Sequence, residues 1–281
     1  MPENVHIPVA GSVVMCATCG VEHFEPAGTC RICADERQWV PAGGQVWTSL
    51  RELREAGHRI KISELEPDLH GVTVEPSVAI GHQAHLVVTP HGSVLWDVPP
   101  FIDRAAVDEI RRHGPVLAIA ASHPHMFGVQ SAWSHAFEQA PILVCEPLLE
   151  WVQRPDSAIT PWRDRHEIAP GLVLHELGGH FRGSSALHWA AGAGGRGVLL
   201  SSDTIHGNPD GTTVTFMRSY PNRIPLSAAV VRRLAAGVAE LEFERVYDNF
   251  GRGPKRDAAA AVQRSAERYI GWVRGDFDDL T

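Results

Sequence analysis

Three short runs carry residues able to hold a metal ion. The first is Ser122-His123-Pro124-His125, where two imidazoles stand at i and i+2. The second is Gly178-Gly179-His180, and the third is Ser201-Ser202-Asp203-Thr204. Neutral imidazoles suit zinc, and three histidines that leave one coordination position open make a catalytic rather than a closed site. Bound zinc lowers the pKa of its water to about 7, which makes hydroxide available near neutral pH. His123, His125 and His180 are therefore candidate ligands. Asp203 is the candidate fourth ligand, or the base that accepts a proton from the water. Asp97, at the end of Val94-Leu95-Trp96, is a candidate partner that orients a ligand histidine. His206, three residues past Asp203, is an additional candidate ligand or substrate contact. The chain holds 16 histidines, so pairs also arise by chance. His82, His85, His91 and His135 are read as ordinary hydrogen-bonding residues.

A second constellation is Cys16-x-x-Cys19 and Cys30-x-x-Cys33. Each loop presents two thiolates to one side of a tetrahedral ion, which points to a structural zinc at Cys16, Cys19, Cys30 and Cys33. Two disulfides would need an oxidising compartment, for which the sequence carries no address. An iron-thiolate site uses the same ligands. The fifth cysteine, Cys145, follows the apolar run Ile142-Leu143-Val144 and reads as an inert buried thiol.

The elements that must position these residues are short apolar strands. Residues 116–120, 172–177 and 197–201 are apolar runs bounded by turn signals, and each leads directly into one of the candidate runs. An α/β fold builds its sites at such strand ends. Further strands are expected at 59–65, 71–80, 84–89, 94–97, 142–145, 185–189, 212–217 and 245–247. Helices are expected at 47–56, 103–113, 130–139, 226–240 and 257–273, with Asp103 as a cap and Gly114-Pro115 as a stop. The polar stretch 154–169, rich in Pro and Asp, reads as a loop near the site. Strands in two batches, each followed by helices, place the chain in the α/β or α+β class. Residues 1–42 form a cysteine-rich zinc-binding module too small to stand without its metal. Pro41-Ala42-Gly43-Gly44 reads as a linker, and 43–281 as the large domain.

Taken together, His-x-His after a strand, Gly-Gly-His-x-x-Gly-Ser at 178–184 and Ser-Asp-Thr at 202–204 resemble the metallo-β-lactamase superfamily over roughly residues 72–275. The resemblance implies a four-layer αβ/βα sandwich and a metal-dependent hydrolase. The chain departs from the family's first motif, His-x-His-x-Asp-His, because its last two places hold Phe127 and Gly128. The family's late histidine is also missing: the equivalent stretch Tyr247-Asp248-Asn249-Phe250-Gly251 contains none. A second adjacent metal is thus poorly provided for.

Composition narrows the function. Apolar residues make up 44% and charged residues 21% of 281, as in an ordinary globular protein. A net charge of −8 argues against a nucleic-acid partner. No apolar run reaches the ~18 residues of a membrane span, and no signal peptide is recognisable in residues 1–6. A cytoplasmic protein acting on a small molecule is expected, without a membrane partner. The expected cofactors are one structural zinc at the cysteines and one catalytic zinc at the histidines, with iron as the alternative metal. The expected reaction is hydrolysis of an ester, lactone, thioester, amide or similar bond. The alternatives are an iron-bound redox protein of the same fold and a non-catalytic metal-binding interaction module.

Overall fold

The computed structural model describes residues 13–26 and 28–281; residues 1–6, read above for a signal peptide, lie outside these. The chain divides into two compact units, Met1–Trp162 and Arg163–Thr281.

The first unit begins with a three-stranded sheet of order β2-β1-β3. Its strands are β1 (Val14–Cys16), β2 (Glu22–His23) and β3 (Trp47–Ser49). The single helical turn α1 (Arg31–Ala34) carries Cys33. Residues 47–49 were expected to open a helix, but they pair antiparallel with β1. Trp47 and Thr48 are aromatic and β-branched, types that fit a pleated edge better than a first helical turn. Helix α2 (Leu50–Glu55) starts only after them, with the Ser49 hydroxyl accepting the Glu52 N–H.

The large sheet of this unit has seven strands in the order β10-β9-β8-β7-β6-β5-β4. The strands β4 (Arg59–Glu66), β5 (Leu69–Glu75), β6 (Ala84–Thr89) and β7 (Gly92–Trp96) form an antiparallel meander. The strands β8 (Val116–Ala120), β9 (Ile142–Cys145) and β10 (Ile159–Trp162) continue it in parallel. Helices α3 (Arg104–Arg111) and α4 (Gln130–Ala136) supply the crossovers, and the Asp103 carboxylate caps α3 by accepting the Ala106 N–H. Leu86, Leu95 and Ile119 of the sheet share a buried core with Val107, Ile110 and Trp133 of the helices. Each such side chain stabilises the fold by about 1.5–3 kcal/mol through burial.

The second unit holds a five-stranded sheet of order β11-β12-β13-β14-β19. Its first four strands, β11 (Arg165–Ala169), β12 (Leu172–Glu176), β13 (Ser185–Trp189) and β14 (Val198–Leu200), are antiparallel. A glycine-rich turn, α5 (Gly192–Gly195), joins β13 to β14, with Ala193 and Gly194 at positive φ. Two small ribbons follow, β15 (His206–Gly207) with β16 (Val214–Thr215), and β17 (Met217–Ser219) with β18 (Ile224–Pro225). Helix α6 (Ala228–Val238), strand β19 (Arg245–Tyr247) and helix α7 (Ala258–Arg274) complete the unit. Strand β19 pairs in parallel with β14. Leu199, Phe216, Val231, Leu234, Val246 and Val262 meet in its core.

The expected loop 154–169 is a correction. It supplies an edge strand to each large sheet, β10 and β11. Pro161 and the charged residues of 165–167 hid them, yet proline and charge are what edge strands carry. The strands that lead to the candidate residues share directions. Strands β7 and β8 are parallel neighbours, and β12, β14 and β19 run the same way in the second sheet. Asp97 and His123 therefore leave one edge of the first sheet, and His180, Asp203 and Asp248 one edge of the second. No helix among the described residues is long and apolar enough to cross a membrane.

Candidate metal centres

Cys16, Cys19, Cys30 and Cys33 converge in the small sheet, and all four are buried and unbridged. Their sulfurs stand 3.6 Å apart for Cys16–Cys33 and 3.8 Å for Cys19–Cys30. A disulfide needs about 2.05 Å, whereas a tetrahedron with Zn–S bonds of about 2.3 Å has edges near 3.8 Å. The donor set fits zinc. Hydrogen bonding from Cys19 draws the Cys16 thiol down to about 6. Cys30 is held far below the usual thiol range, first by its bond with Cys16. Neighbouring side chains supply polar contacts to the sulfurs: Gln45 Nε2 donates to Cys16 Sγ at 3.1 Å, and His23 Nε2 lies 3.4 Å from Cys30 Sγ.

In the first unit, His123 and His125 flank Pro124 at the end of β8. Both are buried, with ring centroids 5.0 Å apart and planes at 82°. Asp97 Oδ1 accepts two bonds from Ser122, from its N–H at 2.8 Å and its hydroxyl at 2.7 Å. The hydroxyl proton is thus spent on Asp97. At 2.8 Å, Ser122 Oγ must accept from His123 Nδ1, which places the imidazole proton on Nδ1 and the lone pair on Nε2. Asp97 itself has φ 60°, a left-handed backbone at the strand end. His82 lies nearby, with Nε2 at 3.0 Å from the Val98 carbonyl, and burial lowers its pKa.

In the second unit, the turn Gly178-Gly179 carries buried His180. Both glycines have positive φ, and a Cβ on Gly179 would fall 2.8 Å from Leu234. His180 Nδ1 donates to the Met217 carbonyl at 3.2 Å, so its lone pair is also on Nε2. That Nε2 is 3.8 Å from Asp203 Oδ2. Asp203 follows Ser202, whose φ is 50°. His206 Nδ1 lies between two carboxylates, 3.4 Å from Asp203 and 3.3 Å from Asp248. Burial opposes charge on His206, but the hydrogen bond to Asp203 and the charge of Asp248 raise its pKa on balance. Asp248 is fully buried and accepts the N–H groups of Phe250 and Arg252 at 2.8 Å and of Gly207 at 3.1 Å.

No family model matches the chain. A curated relative, YmaE of Bacillus subtilis (strain 168), is 44% identical over 261 residues, spanning 91% of this chain and 95% of its own length. The chain belongs to the YmaE family. YmaE is described as an uncharacterized protein. Among solved structures, DIM-1 metallo-β-lactamase aligns with a TM-score of 0.57 at 13% identity, over 75% of this chain and 97% of its own. VMB-1 aligns with a TM-score of 0.55 at 12% identity, over 76% of this chain and 98% of its own. This YmaE-family chain has the metallo-β-lactamase fold, as the resemblance of its motifs to that superfamily implied.

Sequence reasoning passed over several residues that this YmaE-family fold places beside the candidates. Ser122 links Asp97 to His123, and only its position between two strand ends hinted at it. Tyr220 donates its hydroxyl to the Asp203 carbonyl at 3.0 Å and lies over His206, ring centroids 4.5 Å apart. His135 is the ordinary hydrogen-bonding residue it was read as, paired with Asp156 at 2.8 Å.

Proposed function

We propose that this chain is a metal-dependent hydrolase acting on an ester, lactone, thioester, amide or similar bond of a small molecule. The observation that carries the proposal is the tautomer imposed on His123 and His180. Ser122 Oγ and the Met217 carbonyl each accept a hydrogen bond from an Nδ1–H, which leaves the lone pair on Nε2 to face a metal. Buried imidazoles fixed in this way are built as ligands rather than as proton carriers.

In this proposal His123, His125 and His180 would hold one zinc ion, with Asp203 as its fourth ligand or as the base beside it. Support comes from the metallo-β-lactamase fold, whose likeness spans a larger share of the chain than either compact unit makes up. Zinc, when bound, supplies a water with a pKa of about 7. The chain's own residues do the rest. As that base, Asp203 would accept a proton from the water, and Tyr220 and His206 hold the Asp203 segment in place. Asp97 and Ser122 keep His123 from rotating. The cysteine set holds a second, structural zinc.

Elemental analysis and a survey of ester, lactone, thioester and amide substrates test the proposal. His123→Ala and His180→Ala are expected to abolish chelator-sensitive turnover, and His135→Ala to retain it. Turnover that survives chelation or His180→Ala would overturn it. Absence of turnover on every class would favour the interaction-module alternative, and iron with redox activity the other.

A further inference from the structure

We infer that Glu22, on the cysteine ribbon, is a positioning residue for the loop that carries His123 and His125; this rests on the metal-site proposal above. Helix α4 begins five residues after His125, and its N-cap is Val129, which has no side-chain acceptor. The first N–H groups of a helix need partners from elsewhere. Glu22 supplies one from a distant part of the chain: its Oε1 accepts the Ser131 N–H at 2.7 Å. Glu22 binds a second time, through its own N–H, to the Gly128 carbonyl at 2.9 Å.

The loop is gripped from its other side as well. Val98, the residue after Asp97, donates its N–H to the Met126 carbonyl at 3.1 Å. Gly128 has φ 50°, and a Cβ there would fall 2.3 Å from the Val98 carbonyl oxygen. Residues 126–131 are thus clamped between the strand end at 98–99 and the ribbon at Glu22. The acid is 2% exposed, and its Oε2 faces Arg154 Nε at 3.7 Å. Among the described residues only Oε1 carries a hydrogen bond, so the Ser131 N–H is the contact that fixes this buried acid.

Glu22 is itself held by the cysteines. It pairs with Met15 across the β1–β2 hairpin, whose turn contains Cys19 and whose first strand ends at Cys16. A metal at the sulfurs fixes that hairpin, the hairpin fixes Glu22, and Glu22 fixes the segment following His125. The ribbon is thereby a brace for the histidine loop rather than an independent appendage.

Cobalt(II) is the probe, because thiolate-bound cobalt shows intense charge-transfer bands and imidazole-bound cobalt does not. In the full chain, Glu22→Ala is expected to weaken cobalt binding at the histidines about tenfold or more, the range for losing a group that orients a ligand. The thiolate bands should stay unchanged. Glu22→Gln, whose amide oxygen can still accept the Ser131 N–H, should bind like the parent. Unchanged affinity in Glu22→Ala overturns the inference. Ser131→Pro gives an independent arm if that variant does not fold: it deletes the donor itself, at a first-turn residue whose N–H has no partner within the helix. It should reproduce the loss, and parent-like affinity in it also overturns the inference. A parent protein that loads cobalt only at the cysteines would overturn the metal-site proposal and the brace together. A parent that loads both sites, with variants that do the same, would remove the brace alone.

Discussion

Asp97 and Ser122 are joined twice, by the serine N–H at 2.8 Å and its hydroxyl at 2.7 Å, and both bonds end on the same carboxylate oxygen. The second bond decides the chemistry of the next residue, because a hydroxyl that has given its proton to Asp97 can only accept from His123. Ser122→Ala removes that acceptor without changing any ligand. It is expected to weaken zinc at the histidines by about 10–100-fold, the usual cost of losing a ligand's hydrogen-bond partner. Ser122→Thr, which retains the hydroxyl, should recover most of the loss. Competition with a chromophoric chelator reads both; equal affinities for parent and alanine variant would show that Ser122 does not hold the tautomer.

The cysteine cluster is predicted to be structural. Its sulfur separations of 3.6 and 3.8 Å suit a tetrahedral ion and not disulfides. Cys16→Ser with Cys30→Ser should remove about one metal per chain and lower the melting temperature, since ribbon folding and metal binding are one process. Elemental analysis with thermal melting checks it. A double variant with the parent's metal content would contradict the zinc assignment.

Glu22 makes stability depend on pH with an unusual sign. Burial pushes its carboxyl from near 4.5 up to about 7. Between those values the folded chain keeps a proton that the unfolded chain has lost, so stability falls as pH rises through the window. The penalty is absent below about pH 4.5 and complete above about pH 7, where it is at most about 3 kcal/mol. Glu22→Gln carries no such charge. Relative to the parent it should gain stability progressively from pH 4.5 to 7 and no further beyond. Urea unfolding of both proteins across this range would show a flat difference if burial does not perturb Glu22.

The strands that lead to the candidate residues were legible because they are nearly pure apolar runs. Val116–Ala120, between parallel neighbours, has no polar residue to blur it. The helix at 103–113 was legible from Asp103, a cap whose carboxylate accepts the Ala106 N–H. Edge strands were not. Ile159–Trp162 contains a proline and Arg165–Ala169 is charged, so each resembled a loop. Side-chain links between distant segments were the least legible. Glu22 and Ser131 are 109 residues apart, and no local spacing signals that they meet. Ser122 and Tyr220 were missed for the same reason: their roles depend on which strand ends become neighbours, and a side chain's local pattern does not encode that.

The last prediction is that the large domain binds a single metal ion, in addition to the ion at the cysteines. A two-metal hydrolase centre holds its ions about 3.5–4 Å apart and needs a ligand set for each. His123, His125 and His180 serve the first. For the second, the first motif of the metallo-β-lactamase superfamily that the sequence resembles would offer side chains at 127 and 128, but Phe127 has no lone pair and Gly128 no side chain. The late strand end offers Asp248, which already accepts the N–H groups of Phe250, Arg252 and Gly207. Turning it toward a metal would release three backbone donors from a fully buried carboxylate, at about 1–3 kcal/mol for each donor left unsatisfied. That leaves His206, whose Nδ1 already stands between Asp203 and Asp248 at 3.4 and 3.3 Å. A second cation would have to displace this imidazole from both acids or use its other nitrogen. Anomalous scattering and elemental analysis of protein prepared without added metal give the answer. One ion at the cysteines and one beside His180 are expected, with His206→Ala leaving both in place. Two adjacent peaks at the histidines, near full occupancy and reduced to one in His206→Ala, would show that His206 completes a second site.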